Sequence, residues 1–163
     1  MFEYKALSAE GIAAALEKAE HYRLLNEPWE ADSICRDILA IDPNNQQALV
    51  TLILALTERL GEEGGVDVNE PRGLLPRLNS DYERAYYAGI ICERHAKERL
   101  SRGTLGSGPA VFGLLREAMN LYEEAERLSP PGNDDALLRW NTCARMIIRN
   151  QLRPPPGAPG DKA

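Results

Sequence analysis

Two stretches of this chain are variants of one another. Residues 31–49 read Ala-x3-Cys-x2-Ile-x4-Pro followed by Ala48-Leu49, and residues 118–137 read Ala-x3-Tyr-x2-Ala-x4-Pro followed by Ala136-Leu137. In both, small and apolar residues recur at helical spacing and a proline closes the run, because proline cannot continue the helix before it. A recurring helix–turn–helix unit cannot bury its apolar face alone, so it restricts the chain to stacked helices.

The apolar period extends this reading to the whole chain. Helices are expected over about 8–25, 28–41, 45–60, 81–102, 109–128 and 133–150. Pro28 suits a first helical turn. Asn44 with Gln47, and Ser80 with Glu83, resemble capping boxes. No strand pattern is evident. Gly61–Ser80 interrupts the order with four glycines and two prolines. Loops of that length are uncommon without a role, and Leu74, Leu75 and Leu78 suggest a short helix within it. Gly103–Gly108 is a second glycine-rich break. Residues 153–163, rich in proline and glycine, cannot build a core and are expected to be disordered, leaving 1–152 as one helical domain.

Composition narrows the function classes. The net charge is −6, and residues 1–70 hold five basic and fourteen acidic side chains against fourteen and eleven in the remainder. Acidity on this scale argues against nucleic-acid binding, while the basic second half favours an acidic partner segment if the surface charge is used at all. No apolar run suits a membrane span or a secretory leader. Cys35, Cys92 and Cys143 are odd in number and lie within apolar helical patterns, as reduced buried thiols of a cytoplasmic protein do. Arginine outnumbers lysine 15 to 4, a bias that fits a GC-rich bacterial genome.

The helix pair from Ala15 to Pro43 resembles a tetratricopeptide repeat. Ala19 and Tyr22 fit the first helix, Ala31 the close crossing, and Pro43 the closing turn. A second match covers Asp81–Pro130, with Gly89 in the first helix and Ala118, Tyr122, Ala125 and Pro130 in the second. It departs from the pattern in a stretched connection at 100–109 and one extra residue at Pro130-Pro131. The resemblance implies an all-α, antiparallel helix-pair solenoid of about three degenerate repeats. The second half of the middle repeat is eroded into Gly61–Ser80, and the last helix serves as a solvating cap. A rival register takes Asp81 as the start of a second-position helix, with the long loop inside the middle repeat.

In such arrays the first helix of each pair lines the concave groove. That mapping places Leu16, Glu20, Arg23, Val50, Leu54, Tyr86, Ile90 and Arg94 at the groove. The resemblance thus implies a non-catalytic adaptor that holds a partner peptide or helix, with apolar contacts from Leu54, Tyr86 and Ile90 and orientation by Arg23 and Arg94. Tyr86 and Tyr87 serve equally well as packing residues, and Trp140 reads as core. A small export or assembly chaperone would use the same groove. The lysine–asparagine–arginine clamp by which some members bind C-terminal carboxylates is missing.

Catalytic signals are sparse. Cys92 and His95 share a helical face, but a metal site needs three or four ligands and a catalytic pair needs an orienting third group, so an enzyme or metal protein built on them is the weaker alternative. Gly103–Gly108 lacks the lysine and the strand of a phosphate loop. Asp134-Asp135 opens a helix, where the dipole stabilises negative charge. No cofactor and no metal is expected.

Overall fold

The computed structural model describes residues 1–159; residues 160–163 of the expected disordered tail lie outside them. The described chain is helical, with no strand and a single isolated bridge between Leu60 and Val66. It divides into two compact units, Met1–Asn79 and Ser80–Ala163.

In the first unit a short 3-10 turn (Ala9–Gly11) leads into α1 (Ile12–Leu24), followed by α2 (Pro28–Ile41), α3 (Gln46–Thr57) and α4 (Asn69–Leu74), which runs on as a 3-10 turn (Leu75–Arg77). Pro28 occupies the first turn of α2 as its fixed φ allows. The side chain of Asn45, rather than Asn44, caps α3 by accepting from the Ala48 amide at 2.9 Å, and Asn45 in turn donates to Asp42.

α1 packs on α2, α2 on α3, and α1 also meets α3. Ala15, Ala19, Ala31 and Ala48 are buried there, and their small size lets the helix axes approach. Ala19, Cys35, Leu52 and Leu56 form one apolar cluster, covered by Ile34, Leu39, Val66 and Leu74. Val66 and Leu74 come from the long interruption, so this segment is folded onto α3. It is fastened by Arg77 donating to the Pro43 carbonyl (2.6 Å) and by Gln46, whose side chain bonds the backbone of Arg77 and Asn79.

The second unit contains α5 (Asp81–Arg102), α6 (Gly108–Leu128) and α7 (Asp135–Arg149). Ser80 caps α5 through the Glu83 amide, and Gly103 ends it in the left-handed conformation at φ 61°. α6 packs along α5 and carries α7 on another face. Gly89 lies against the ring of Tyr122, which is fully buried; a Cβ at Gly89 would come within 2.5 Å of that ring. α7 buries only Ala136 and Cys143, and it exposes Leu138 and Ile148 at 59% and 75%. Asp135, Arg145 and Arg149 are exposed beside them, so the outer face expected of a solvating cap is partly polar and partly apolar. Residues 153–159 hold no helix, only turns at Pro156–Gly157 and Pro159.

Candidate functional site

The groove positions expected in the first unit form two adjacent rows. On α1, Leu16, Glu20 and Arg23 are half-buried at i, i+4 and i+7; Val50 and Leu54 on α3 and Glu58 at its C-terminal end follow at i, i+4 and i+8 and are half-buried too. Arg23 joins the rows. One terminal nitrogen donates to Glu58 at 2.6 Å, the other to Glu20 at 3.0 Å, and its Nε donates to Glu20 at 3.3 Å. Burial opposes the charge on Arg23, and these two carboxylates more than offset it, so its pKa rises above the usual arginine value. Arg23 is committed to the α1–α3 contact, which replaces the partner-orienting role expected of it. The surface between the rows is apolar at Leu16, Val50 and Leu54 and carries two acids against one base.

The expected residues of the second unit follow one another on α5 at Tyr86, Ile90 and Arg94. Ile90 is 1% exposed, so its side chain belongs to the interior and is corrected from a groove contact to a packing residue. Tyr86 is half-buried in an aromatic cluster. It stacks on Tyr82 with centroids 5.7 Å apart, meets Tyr87 edge-on at 5.1 Å and Tyr122 at 5.9 Å, and accepts a hydrogen bond from Arg139. Arg94 is half-buried. Trp140, expected in the core, is half-buried and donates its indole N–H to Glu123 at 3.0 Å.

The most unusual group of the second unit is one the periodicity passes over. Glu93 is fully buried on the same face of α5 as Gly89 and Ala96. Its carboxylate accepts from Arg139 of α7 at 3.0 Å, lies 3.6 Å from the Lys97 ammonium, and takes the Cys143 thiol at 3.7 Å. A buried carboxylate is tolerable only with such partners. The sole signal in the sequence is an acid interrupting an apolar stripe, and its base stands 46 residues away.

Chemical reactivity is low in these surroundings. Burial, then the nearby Glu93, pushes the Cys143 thiol up to about 12; burial, then Asp32, does the same to Cys35. Both remain protonated and non-nucleophilic at neutral pH. Cys92 is 3% exposed and His95 half-buried, and no three His, Cys, Asp or Glu side chains among the described residues converge to hold a metal.

A second feature escapes sequence reasoning. Arg59, just beyond α3, is 5% exposed; it donates to Asp32 of α2 at 2.5 Å, and its guanidinium lies 3.2 Å from the centroid of the Trp29 ring. Arg36 also donates to Asp32 and reaches Glu70 at the start of α4. This network holds Trp29, itself 58% exposed, from beneath.

No family model, no curated protein and no solved structure matches this chain. Among the described residues no helix is long and apolar enough to cross a membrane.

Proposed function

We propose that the protein is a non-catalytic, tetratricopeptide-like interaction module of the cytoplasm that holds a helical or extended peptide of a protein partner. The observation that carries this reading is the pair of rows on α1 and α3, where Leu16, Val50 and Leu54 stay partly open while the rest of α3 is almost entirely buried. A helix that is apolar nearly all round is a core helix, so apolar side chains left at its surface invite a covering partner. The small residues at the helix crossings, Ala19 and Ala31 in the first unit and Gly89 and Ala118 in the second, support the repeat assignment. With Arg23 engaged by Glu20 and Glu58, the surface around Leu54 is net acidic, and it suits a partner segment with apolar and basic side chains.

The test is affinity purification from the native host with mass spectrometry, followed by reconstitution from purified components. The proposal expects a stoichiometric partner whose binding falls at least about tenfold, the loss of one buried apolar anchor, when Leu54→Asp is introduced. A partner that binds Leu16→Asp and Leu54→Asp variants as tightly as the wild type would exclude this surface.

A further inference from the structure

On the opposite side of α2 from its buried face, a cleft of about 750 Å³ runs between that helix and residues 4–7. On its α2 wall, spread over three turns, Trp29, Ala40 and Ile41 stand among Asp32, Arg36 and Asp37, and Tyr4, Lys5 and Leu7 stand on the other wall. That volume is within the range of ligand sites in proteins. The second wall is unusual. Residues 1–7 belong to no helix, and among the described residues the backbone of 4–7 makes no hydrogen bond. Phe2 and Tyr4 are 104% and 101% exposed, so two aromatic side chains stand in solvent beside a cleft of mixed apolar and charged lining.

The occupant is indicated by the segment itself, Met1-Phe2-Glu3-Tyr4-Lys5-Ala6-Leu7. It is complementary to its own reverse. Two copies paired antiparallel about Tyr4 put Glu3 opposite Lys5 twice, Phe2 opposite Ala6, and Tyr4 opposite Tyr4, while Leu7 at the end of the segment packs against Ala15 and Ile38 of its own chain. Residues directly opposite on such a ladder point to the same face, so the apolar and aromatic pairs of Phe2, Tyr4 and Ala6 share one side and the ion pairs the other. Neither Glu3 nor Lys5 has an ion-pair partner within the described chain. A two-stranded ribbon alone is marginal in water, and Trp29, Ala40 and Ile41 of the cleft offer it apolar surface.

We propose that the cleft between residues 4–7 and α2 is a self-association site, filled by the same segment of a second copy. Its backbone pairs with that of residues 4–7, and its Phe2 and Tyr4 lie over Trp29, Ala40 and Ile41. The arrangement is two-fold, so each copy gives a segment and receives one. The proposal is independent of the peptide-holding face on α1 and α3.

Sedimentation velocity of the full chain from low micromolar to sub-millimolar concentration tests it. The wild type is expected to form a dimer. Glu3→Lys alone and Lys5→Glu alone each set like charges opposite one another twice, and each is expected to weaken the dimer about tenfold or more. The double variant Glu3→Lys/Lys5→Glu restores it. An equimolar mixture of the two single variants forms a heterodimer, because one copy then carries two lysines in this segment and the other two glutamates, and every opposed pair is of unlike charge. In a Trp140→Phe background, Trp29 fluorescence becomes less accessible to acrylamide as the dimer forms. At low concentration, where all are monomeric, the variants should share the wild-type circular dichroism, since residues 4–7 make no backbone hydrogen bond in the fold. A monomer at every concentration, a dimer indifferent to the charge exchange, or a different protein occupying the cleft would each overturn the proposal.

Discussion

Gly89 of α5 and Tyr122 of α6 are fitted to each other: the ring fills the space that any side chain at residue 89 would need. In the first copy of the repeated motif Cys35 stands where the second has Tyr122, and Cys35 packs in a cluster with Ala19 of α1. Where the second-helix residue is the larger tyrosine, the facing first-helix residue is the smallest available. Gly89→Ala should therefore destabilise the protein: overpacking costs about 1–3 kcal/mol, against a helical gain of at most about 1 kcal/mol. Gly113→Ala, at an exposed site in α6 with open space around it, should instead stabilise by about 0.5–1 kcal/mol. Urea denaturation of the two variants compares them directly, and equal effects would contradict the packing account.

The Tyr122 hydroxyl is buried and has no hydrogen-bond partner. Its removal relieves a desolvation cost without opening a large cavity. Tyr122→Phe is expected to raise stability by about 1 kcal/mol, measured as an increase in the urea midpoint at constant slope. A loss of stability would mean that the hydroxyl is satisfied in solution.

Arg139 anchors α7 to α5 through Glu93. Replacing it by methionine keeps much of the volume and leaves the Glu93 carboxylate with the weak Cys143 thiol donor and the more distant, half-exposed Lys97 cation. The expected cost is about 3 kcal/mol or more. Adding Glu93→Gln to that variant should recover a large part of it, because the uncompensated charge is gone. A double variant no better than Arg139→Met alone would show that the charge is not what the arginine serves.

Cys35 and Cys143 titrate near their ordinary value of 9.0 in the unfolded chain and at about 12 in the folded one. Their protonated form is the one the fold accepts, so their contribution is fully present below about pH 9 and is lost as the pH rises toward 12. Each thiol should then cost about 1.4 kcal/mol per pH unit in that window. Chemical denaturation at about pH 8, 9.5 and 10.5 measures the slope, and Cys35→Ala with Cys143→Ala should flatten it.

The cap of α3 offers a local test. Asn45→Ala removes the acceptor of the Ala48 amide and should cost about 1 kcal/mol, whereas Asn44→Ala should be nearly silent. Thermal unfolding of the two variants distinguishes the residues.

Much of the helical architecture is legible from local signals. α2 and α5 begin and end where expected because Pro28, Pro43, Ser80 and Gly103 act within one turn of themselves. The cap of α3 falls one residue beyond the expected Asn44, since Asp42 draws the Asn45 side chain into place. α3 ends at Thr57 instead of running to Leu60: beyond it the chain turns so that Arg59 can reach Asp32 and Trp29, a contact no helical period encodes. The candidate surface is legible in part. Leu54 and its neighbours keep the exposure their position suggests, while Arg23 is taken by Glu20 and Glu58 and Ile90 is buried.

The sequence by itself determined that this chain is helical, where its helices fall, and which faces are small and apolar. Those properties follow from propensity, spacing and caps, all of which act over a few residues. Only the tertiary structure decided which charges are buried and which arginines are occupied. The partners of Glu93, Arg23 and Arg59 lie 46, 35 and 27 residues away, and nothing in a local pattern sets such a meeting. It also decided that residues 4–7 stand along α2 with an open cleft between them, because that gap depends on how a segment without helical structure of its own is carried by the helices it borders.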